Sequence, residues 1–313
     1  MDKYVIGIDL GGTIIKTGIV RNGEIIASGN LKSDSVNGLG RKLPEIEEYI
    51  KKTLQEHQIL KSSIVGVGIS FPGLVDSSRS VVLSTNAKYD DAPCLDLKNW
   101  AKNSFGGKFY IDNDARMAAV GEWQYGAAKG CNNMVMMTIG TGIGTGVIIQ
   151  GKILKGEHFQ AGCLGGHLIV DYKGRRCNCG NIGCVEALSS SFFLNDIIRD
   201  NQQISKDFYR QYAPFDFKKL FDLFSAGNPD AQKIAYDCMD VWAAGIVNFI
   251  HAYDPEMIVL GGGVAKSANI IIPYIQQQVD SLAWTPWGKI KIVGSELKDN
   301  VGIIGVSYCL TIE

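Results

Sequence analysis

Residues 4–23 read YVIGIDLGGTIIKTGIVRNG, and the order of apolar, glycine and turn residues in them decides the fold. Tyr4–Asp9 is an apolar run of strand length, which predicts a buried strand. Leu10, Gly11, Gly12 and Thr13 then force a turn, and residues 14–20 resume β character. Asn22 and Gly23 form a two-residue hairpin signal, because both tolerate positive φ, and Glu24–Ser28 predicts a third strand. The pattern returns at residues 134–151, which read MVMMTIGTGIGTGVIIQG. Here a strand over Met134–Ile139 meets a glycine turn at 140–144, and a second strand follows at Val147–Ile149. Gln150-Gly151 takes the place of Asn22-Gly23, and Lys152 to Leu154 begins a third strand. One supersecondary unit used twice predicts two related α/β halves.

Outside the repeat, apolar spacing predicts helices over Pro44–His57, Ala115–Trp123, Asp230–Tyr253 and Ile270–Leu282. Shorter helical pieces are expected at Phe192–Asp200 and Phe217–Phe224, and the apolar tail Gly302–Leu310 is expected to be helical. Strands are expected at Ile64–Ser70, Lys108–Ile111, Met257–Leu260 and Lys289–Val293. The chain has 313 residues, enough for two domains with ordinary cores. Charged residues make up 20% and the net charge is −1, which disfavours a polyanion partner such as nucleic acid. The opening residues enter a strand directly, without a signal-peptide pattern, and no apolar run reaches the length of a membrane span. A soluble cytoplasmic protein is therefore expected. Its eight Cys should then be mostly reduced, so that a Cys cluster favours metal over disulfide.

The two glycine turns carry chemistry. Asp9 stands at a strand end beside Gly11 and Gly12, where backbone N–H groups can approach phosphate oxygens, and Thr13 adds a hydroxyl. Thr138, Gly140, Thr141 and Gly142 offer the same chemistry in the second half. Two such loops suit the β- and γ-phosphates of a nucleotide, with Asp9 orienting Mg2+ through water. A pair of ligand-free glycine hairpins is the plainer alternative. Neither loop is a Walker A or a dinucleotide fingerprint. Gly261, Gly262 and Gly263 follow a buried strand and suit the nucleotide side, or a simple strand-to-helix turn.

Asp114 sits where a strand meets a helix, a place where the helix N-terminus is expected to lower a carboxylate's pKa. An ionised Asp held there can accept a hydroxyl proton late in phosphoryl transfer. It also suits a helix N-cap, and the two roles are compatible. A last constellation runs from Gly162 to Glu186. His167, Cys177, Cys179 and Cys184 are separated by Gly and Asn and form a Cys₃His complement for tetrahedral zinc. Four protein ligands leave no open position, so the zinc is expected to be structural.

Asp9-Leu-Gly-Gly-Thr13 followed by Lys16, Ile69 to Asp76, Asn113 to Glu122, Thr138 to Gly146 and the Cys cluster stand in one order. Together they resemble the ROK family of sugar kinases and repressors across nearly the whole chain. The resemblance implies an actin/hexokinase-like (ribonuclease H-like) fold, two α/β domains around a cleft. The domains are expected at residues 1–114 and 115–299, with a C-terminal helix at about 300–313 packing back on the first. It implies ATP-dependent transfer to a sugar hydroxyl, O6 of a hexose such as glucose or of an N-acetylhexosamine (N-acetylmannosamine or N-acetylglucosamine). By matched position, Asp114 resembles the catalytic base. Asn113, Gly73, Thr85, Asn86, His167 and Glu186 resemble the sugar side. Asp9, Gly11, Gly12, Thr13, Lys16, Thr138, Gly140, Thr141 and Gly142 resemble the phosphate contacts, and Gly261–Gly263 the nucleotide side. ATP, Mg2+ and structural zinc are the implied cofactors, and a dimer or tetramer the implied assembly.

One departure stands out. Kinases of this family commonly carry Glu-x-Gly-His as a sugar ligand, whereas this chain reads Cys163-Leu-Gly-Gly-His167, one residue longer and without Glu. Substrate choice is where that difference should act, and a non-catalytic sugar sensor is the alternative it raises. Family repressors carry a helix-turn-helix ahead of the first glycine loop; only eight residues precede Asp9, so DNA binding is not expected.

Overall fold

The computed structural model describes residues 2–85 and 87–312. The chain divides into two compact units: residues 1–130, 153–163 and 299–313 form the first, and 131–152 and 164–298 the second. In the first unit, β1 (Tyr4–Leu10), β2 (Ile14–Arg21) and β3 (Glu24–Lys32) form the expected meander. Asn22 and Gly23 take φ of 51° and 80°, as their hairpin requires. Helix α1 (Leu43–Glu56) has Pro in its first turn and buries Ile46, Ile50 and Leu54 at i, i+4, i+8 spacing. It is followed by β4 (Ile64–Phe71), β5 (Gly73–Asp76), β6 (Val81–Thr85), α2 (Leu97–Ser104), β7 (Lys108–Asn113) and α3 (Asp114–Tyr125). The sheet order is β3-β2-β1-β4-β7, with β4 parallel to both β1 and β7.

In the second unit, β8 (Met134–Ile139), β9 (Ile143–Ile149) and β10 (Lys152–Ile153) repeat the meander. Helices α4 (Val185–Ser189), α5 (Ser191–Asp200), α6 (Lys206–Tyr212), α7 (Phe217–Ser225) and α8 (Pro229–Tyr253) follow. Then come β11 (Met257–Gly261), α9 (Ala268–Leu282) and β12 (Lys291–Gly294). The sheet order is β10-β9-β8-β11-β12, with β11 parallel to β8 and β12. This reproduces the first sheet strand for strand, so the repeat seen in sequence is a repeat of architecture. Helix α8 buries a wide stripe that includes Ala235, Met239, Trp242, Ile246 and Phe249, and Asn228 caps it by accepting from the Ala231 N–H.

The last helix, α10 (Val301–Ile312), returns to the first unit and packs on α3, β1 and β4. The crossing with α3 is close: a Cβ on Gly305 would stand 1.9 Å from the Met117 carbonyl oxygen, and one on Gly121 2.5 Å from that of Val301. Only glycine lets the two backbones approach so nearly. Helix α3 packs on α10, which itself lies against the sheet, and the first unit accordingly holds residues 1–130 together with 153–163. The second strand of the second meander begins at Ile143, four residues before the expected start, since Gly144 and Gly146 are no obstacle to pairing with β8. The β5–β6 hairpin and α2, α4 and α6 were not anticipated. Each is too short for its apolar spacing to stand out.

Candidate active site

In the first unit, three neighbouring strands end in polar residues. Asp9 pairs in register with Ser70, and Ser70 with Asp112, so the carboxyl ends of β1, β4 and β7 present them side by side. The Ser70 hydroxyl donates to Asp9 at 2.6 Å. Burial raises the Asp9 pKa, against the opposing pull of Ser70 and of Lys16 across the β1–β2 ladder. The Lys16 ammonium itself lies on the carbonyl and carboxylate of Asp299, at 2.9 and 3.2 Å. The glycine loop after Asp9 is closed by the Gly11 N–H donating to Ile14. It is braced by side chains that sequence reading passed over. The Tyr89 hydroxyl donates to the Gly11 carbonyl (2.8 Å) and meets Ser33 Oγ (2.8 Å), and the Ser35 hydroxyl donates to the Gly12 carbonyl (3.1 Å).

Asp114 is the first residue of α3, and Asn113 is its N-cap, accepting from the Arg116 N–H at 3.0 Å. One Asp114 oxygen accepts from the Ala115 N–H (2.7 Å) and the Asn113 amide (3.1 Å), and that amide also donates to the Gly73 carbonyl. The expectation of a lowered pKa is overturned. Burial, reinforced by the charge of Asp9, pushes the Asp114 carboxyl up to about 6, outweighing the Ala115 N–H, Lys88 and Asn113. A helix terminus favours the anion only by what its N–H groups return, and lost hydration costs more here. Thr85 faces Gly73 across the β5–β6 ladder and donates its hydroxyl to Asp90. Asn86 lies outside the described residues.

Beneath Asp114 is an ion pair that the sequence did not announce. Arg116 and Asp112, both fully buried, meet at 2.5 Å, and Tyr110 donates to the second Asp112 oxygen. The other arm of Arg116 donates to the carbonyls of Phe159 and Ala161, fixing the approach to Cys163. Arg and Asp four residues apart across a strand–helix junction were its only signal.

The second unit holds the other glycine loop. Thr138 donates its hydroxyl to Gly144, and the Gly140 and Thr141 carbonyls accept from the first N–H groups of α5, at Ser191 and Phe192. The half-exposed glycines and exposed Thr141 remain at the surface of the unit. Glu186, buried on α4, accepts from the Ile143 N–H at 2.8 Å. Its carboxylate therefore steadies this loop with one oxygen, a contact its distance in sequence concealed. Gly262, at φ 84°, turns the chain after β11, and a Cβ there would meet the Ile139 carbonyl at 2.4 Å.

His167, Cys177, Cys179 and Cys184 converge, with all ligand atoms within 4.8 Å of one another. Cys177 Sγ to His167 Nδ1 and Cys179 Sγ to Cys184 Sγ are both 3.7 Å. A zinc–sulfur bond of about 2.3 Å gives a tetrahedral edge of about 3.8 Å, whereas a disulfide needs about 2.0 Å. The donor set and its spacing suit a closed zinc site. Bridges between Ile169 and Cys184 and between Arg176 and Ile182 hold the loop, and Gly165 donates to Thr145 on β9. The extra glycine of the Cys163–His167 run has a packing reason, since a Cβ on Gly166 would lie 2.0 Å from the Ile143 carbonyl.

Known proteins resemble this chain over nearly its whole length. The model of the ROK family matches residues 5–311. A glucokinase of Thermotoga maritima is 29% identical over 317 residues, covering 97% of this chain and 96% of its own. A xylose repressor of Bacillus spizizenii is 28% identical over 310 residues, covering 97% of this chain and 76% of its own. Among solved structures, the ROK hexokinase of Thermus thermophilus matches with a TM-score of 0.76 at 28% identity, over 97% of this chain and 96% of that one. The fold is the two-domain α/β fold of the actin/hexokinase type. No helix among the described residues is long and apolar enough to cross a membrane.

Proposed function

We propose that this chain, which belongs to the ROK family, is an ATP-dependent sugar kinase acting on O6 of a hexose such as glucose, with Asp114 as general base. The observation that carries this reading is the state of Asp114. Its carboxyl is pinned by the Ala115 N–H and raised to about 6, so at neutral pH it is ionised yet basic enough to take a hydroxyl proton. In the reaction, the O6–H proton passes to Asp114 as O6 bonds to the γ-phosphorus. The bond from that phosphorus to the β–γ bridging oxygen breaks, and ADP leaves.

Asp9 would hold Mg2+, whose charge would supply neutralisation of the phosphate oxygens; a half-buried carboxylate with a raised pKa gains from such a cation. Apart from the Gly11 and Gly140 N–H groups, which are taken within their own loops, the N–H groups and hydroxyls of the Gly11–Thr13 and Gly140–Gly142 loops would bind the phosphates, and Gly261–Gly263 would serve the nucleotide. Asn113, Gly73, Thr85, Asn86, His167 and Glu186 would serve the sugar, Glu186 through the oxygen that does not bind Ile143. Zinc would brace the loop that carries His167. Two findings favour a second reading, a sugar sensor without turnover: the likeness to a xylose repressor, and the absence of Glu from Cys163–His167. ADP release from Mg-ATP across hexoses and N-acetylhexosamines tests both. Stimulation by one sugar class supports the kinase and names its substrate; a flat panel with measurable sugar binding supports the sensor.

A further inference from the structure

Lys88 lies on the first glycine loop. A Cβ built on Gly12 would stand 3.0 Å from Lys88 Cε and 3.5 Å from Nζ, so the side chain fills the space that glycine leaves and brings its ammonium there. The backbone on either side is bent to do this: Ala87 and Tyr89 take φ of 53° and 57°, left-handed values that residues with a Cβ rarely adopt. Such conformations persist where the surroundings over-determine them, and they gather at ligand-binding segments. Here the surroundings are the loop itself. Tyr89 is tied to Gly11 through its hydroxyl and to Ser35 through its N–H, and Ser35 is tied to Gly12. Lys88 is half-buried and has no ion-pair partner among the described residues, although it acts on the Asp114 carboxylate through space. A lysine held against a glycine loop, with a carboxylate near it but no ion pair made, is a site for an anion.

We propose that Lys88 binds the terminal phosphoryl group of a nucleoside triphosphate at the Gly11–Thr13 loop, and offsets its charge during transfer. Only the second role rests on the kinase reading. A residue that merely covers Gly12 by packing would be replaced without loss by Met, which keeps the unbranched chain and removes the charge.

The test is calorimetric titration of the intact chain with Mg2+ and either ADP or a non-hydrolysable ATP analogue. Lys88→Met should weaken the triphosphate roughly 10- to 100-fold, the equivalent of one charge-assisted contact, and leave ADP nearly unchanged. Lys88→Arg should recover part of the loss. Equal weakening of both nucleotides, no weakening of either, loss of sugar affinity alone, or a wild-type chain that binds neither nucleotide would each overturn the assignment. A chain that shows the Lys88-dependent preference for triphosphate yet phosphorylates no sugar would defeat the kinase reading and leave this one standing.

Discussion

Replacing Asp114 by Asn removes one charge and keeps the shape. The amide oxygen can still accept from the Ala115 N–H, now at 2.7 Å, so the start of α3 should persist. What disappears is the proton acceptor. A positioned general base contributes roughly 10²–10⁴ in rate, so kcat should fall by that factor, about 3–5 kcal/mol of barrier, with sugar affinity little changed. The same substitution should stabilise the fold at neutral pH. The carboxyl moves from 3.8 to about 6 on folding because burial and Asp9 disfavour its ionised form. Below 3.8 the folded and unfolded chains both hold the proton, and the group is neutral to stability. Between 3.8 and 6 only the unfolded chain ionises, so stability falls as pH rises. Above 6 the whole penalty remains, at most about 3 kcal/mol at 1.36 kcal/mol per pH unit. ADP-release kinetics and thermal melting at pH 8 and pH 4 check both halves. Asp114→Asn should be slow and should melt higher than wild type at pH 8, the gap closing near pH 4. Near-wild-type turnover would remove Asp114 from the base role, and a lower melting point at pH 8 would refute the desolvation argument.

Three further outcomes are expected. The wild-type kcat/KM should decline as pH falls through about 6, where Asp114 takes up its proton; a profile flat down to pH 5 would assign the base elsewhere. Cys179→Ser should lose the metal and weaken sugar binding, read by elemental analysis and sugar titration, and a wild-type chain purified without zinc would end that argument. Arg116→Met should destabilise by about 1–3 kcal/mol, because it removes one charge-assisted partner from the buried Asp112 carboxylate while Lys155, at 3.4 Å, and Tyr110 remain on it; denaturant melts check this, and an unchanged midpoint would refute it.

The repeat was legible because each strand, glycine turn and hairpin is written in consecutive residues, and short-range sterics act on nothing else. The Cys and His ligands were legible for a related reason: their side chains have few structural roles in such a cluster, and all four fall within eighteen residues, so that one loop gathers them. The short elements α2, α4 and α6, of eight residues or fewer, were not legible, since about two turns give apolar spacing little chance to repeat. Nor were the brace of Tyr89 on Gly11 and the pairing of Arg116 with Asp112 and the 159–161 segment, which join residues by contact and not by pattern.

Sequence by itself determined which residue types were available: two glycine loops, one carboxylate at a strand–helix junction, four soft metal ligands, and the likeness to one family that they carry together. Tertiary structure decided the state of each group. It placed α3 in the first unit by packing α10 across it, and gave one Glu186 oxygen to the Ile143 N–H. It also lifted the Asp114 carboxyl to about 6 where local reasoning had lowered it. The physical reason is common to all three. Propensity and turn chemistry act between neighbours in the chain, whereas burial and charge depend on what the rest of the fold brings near.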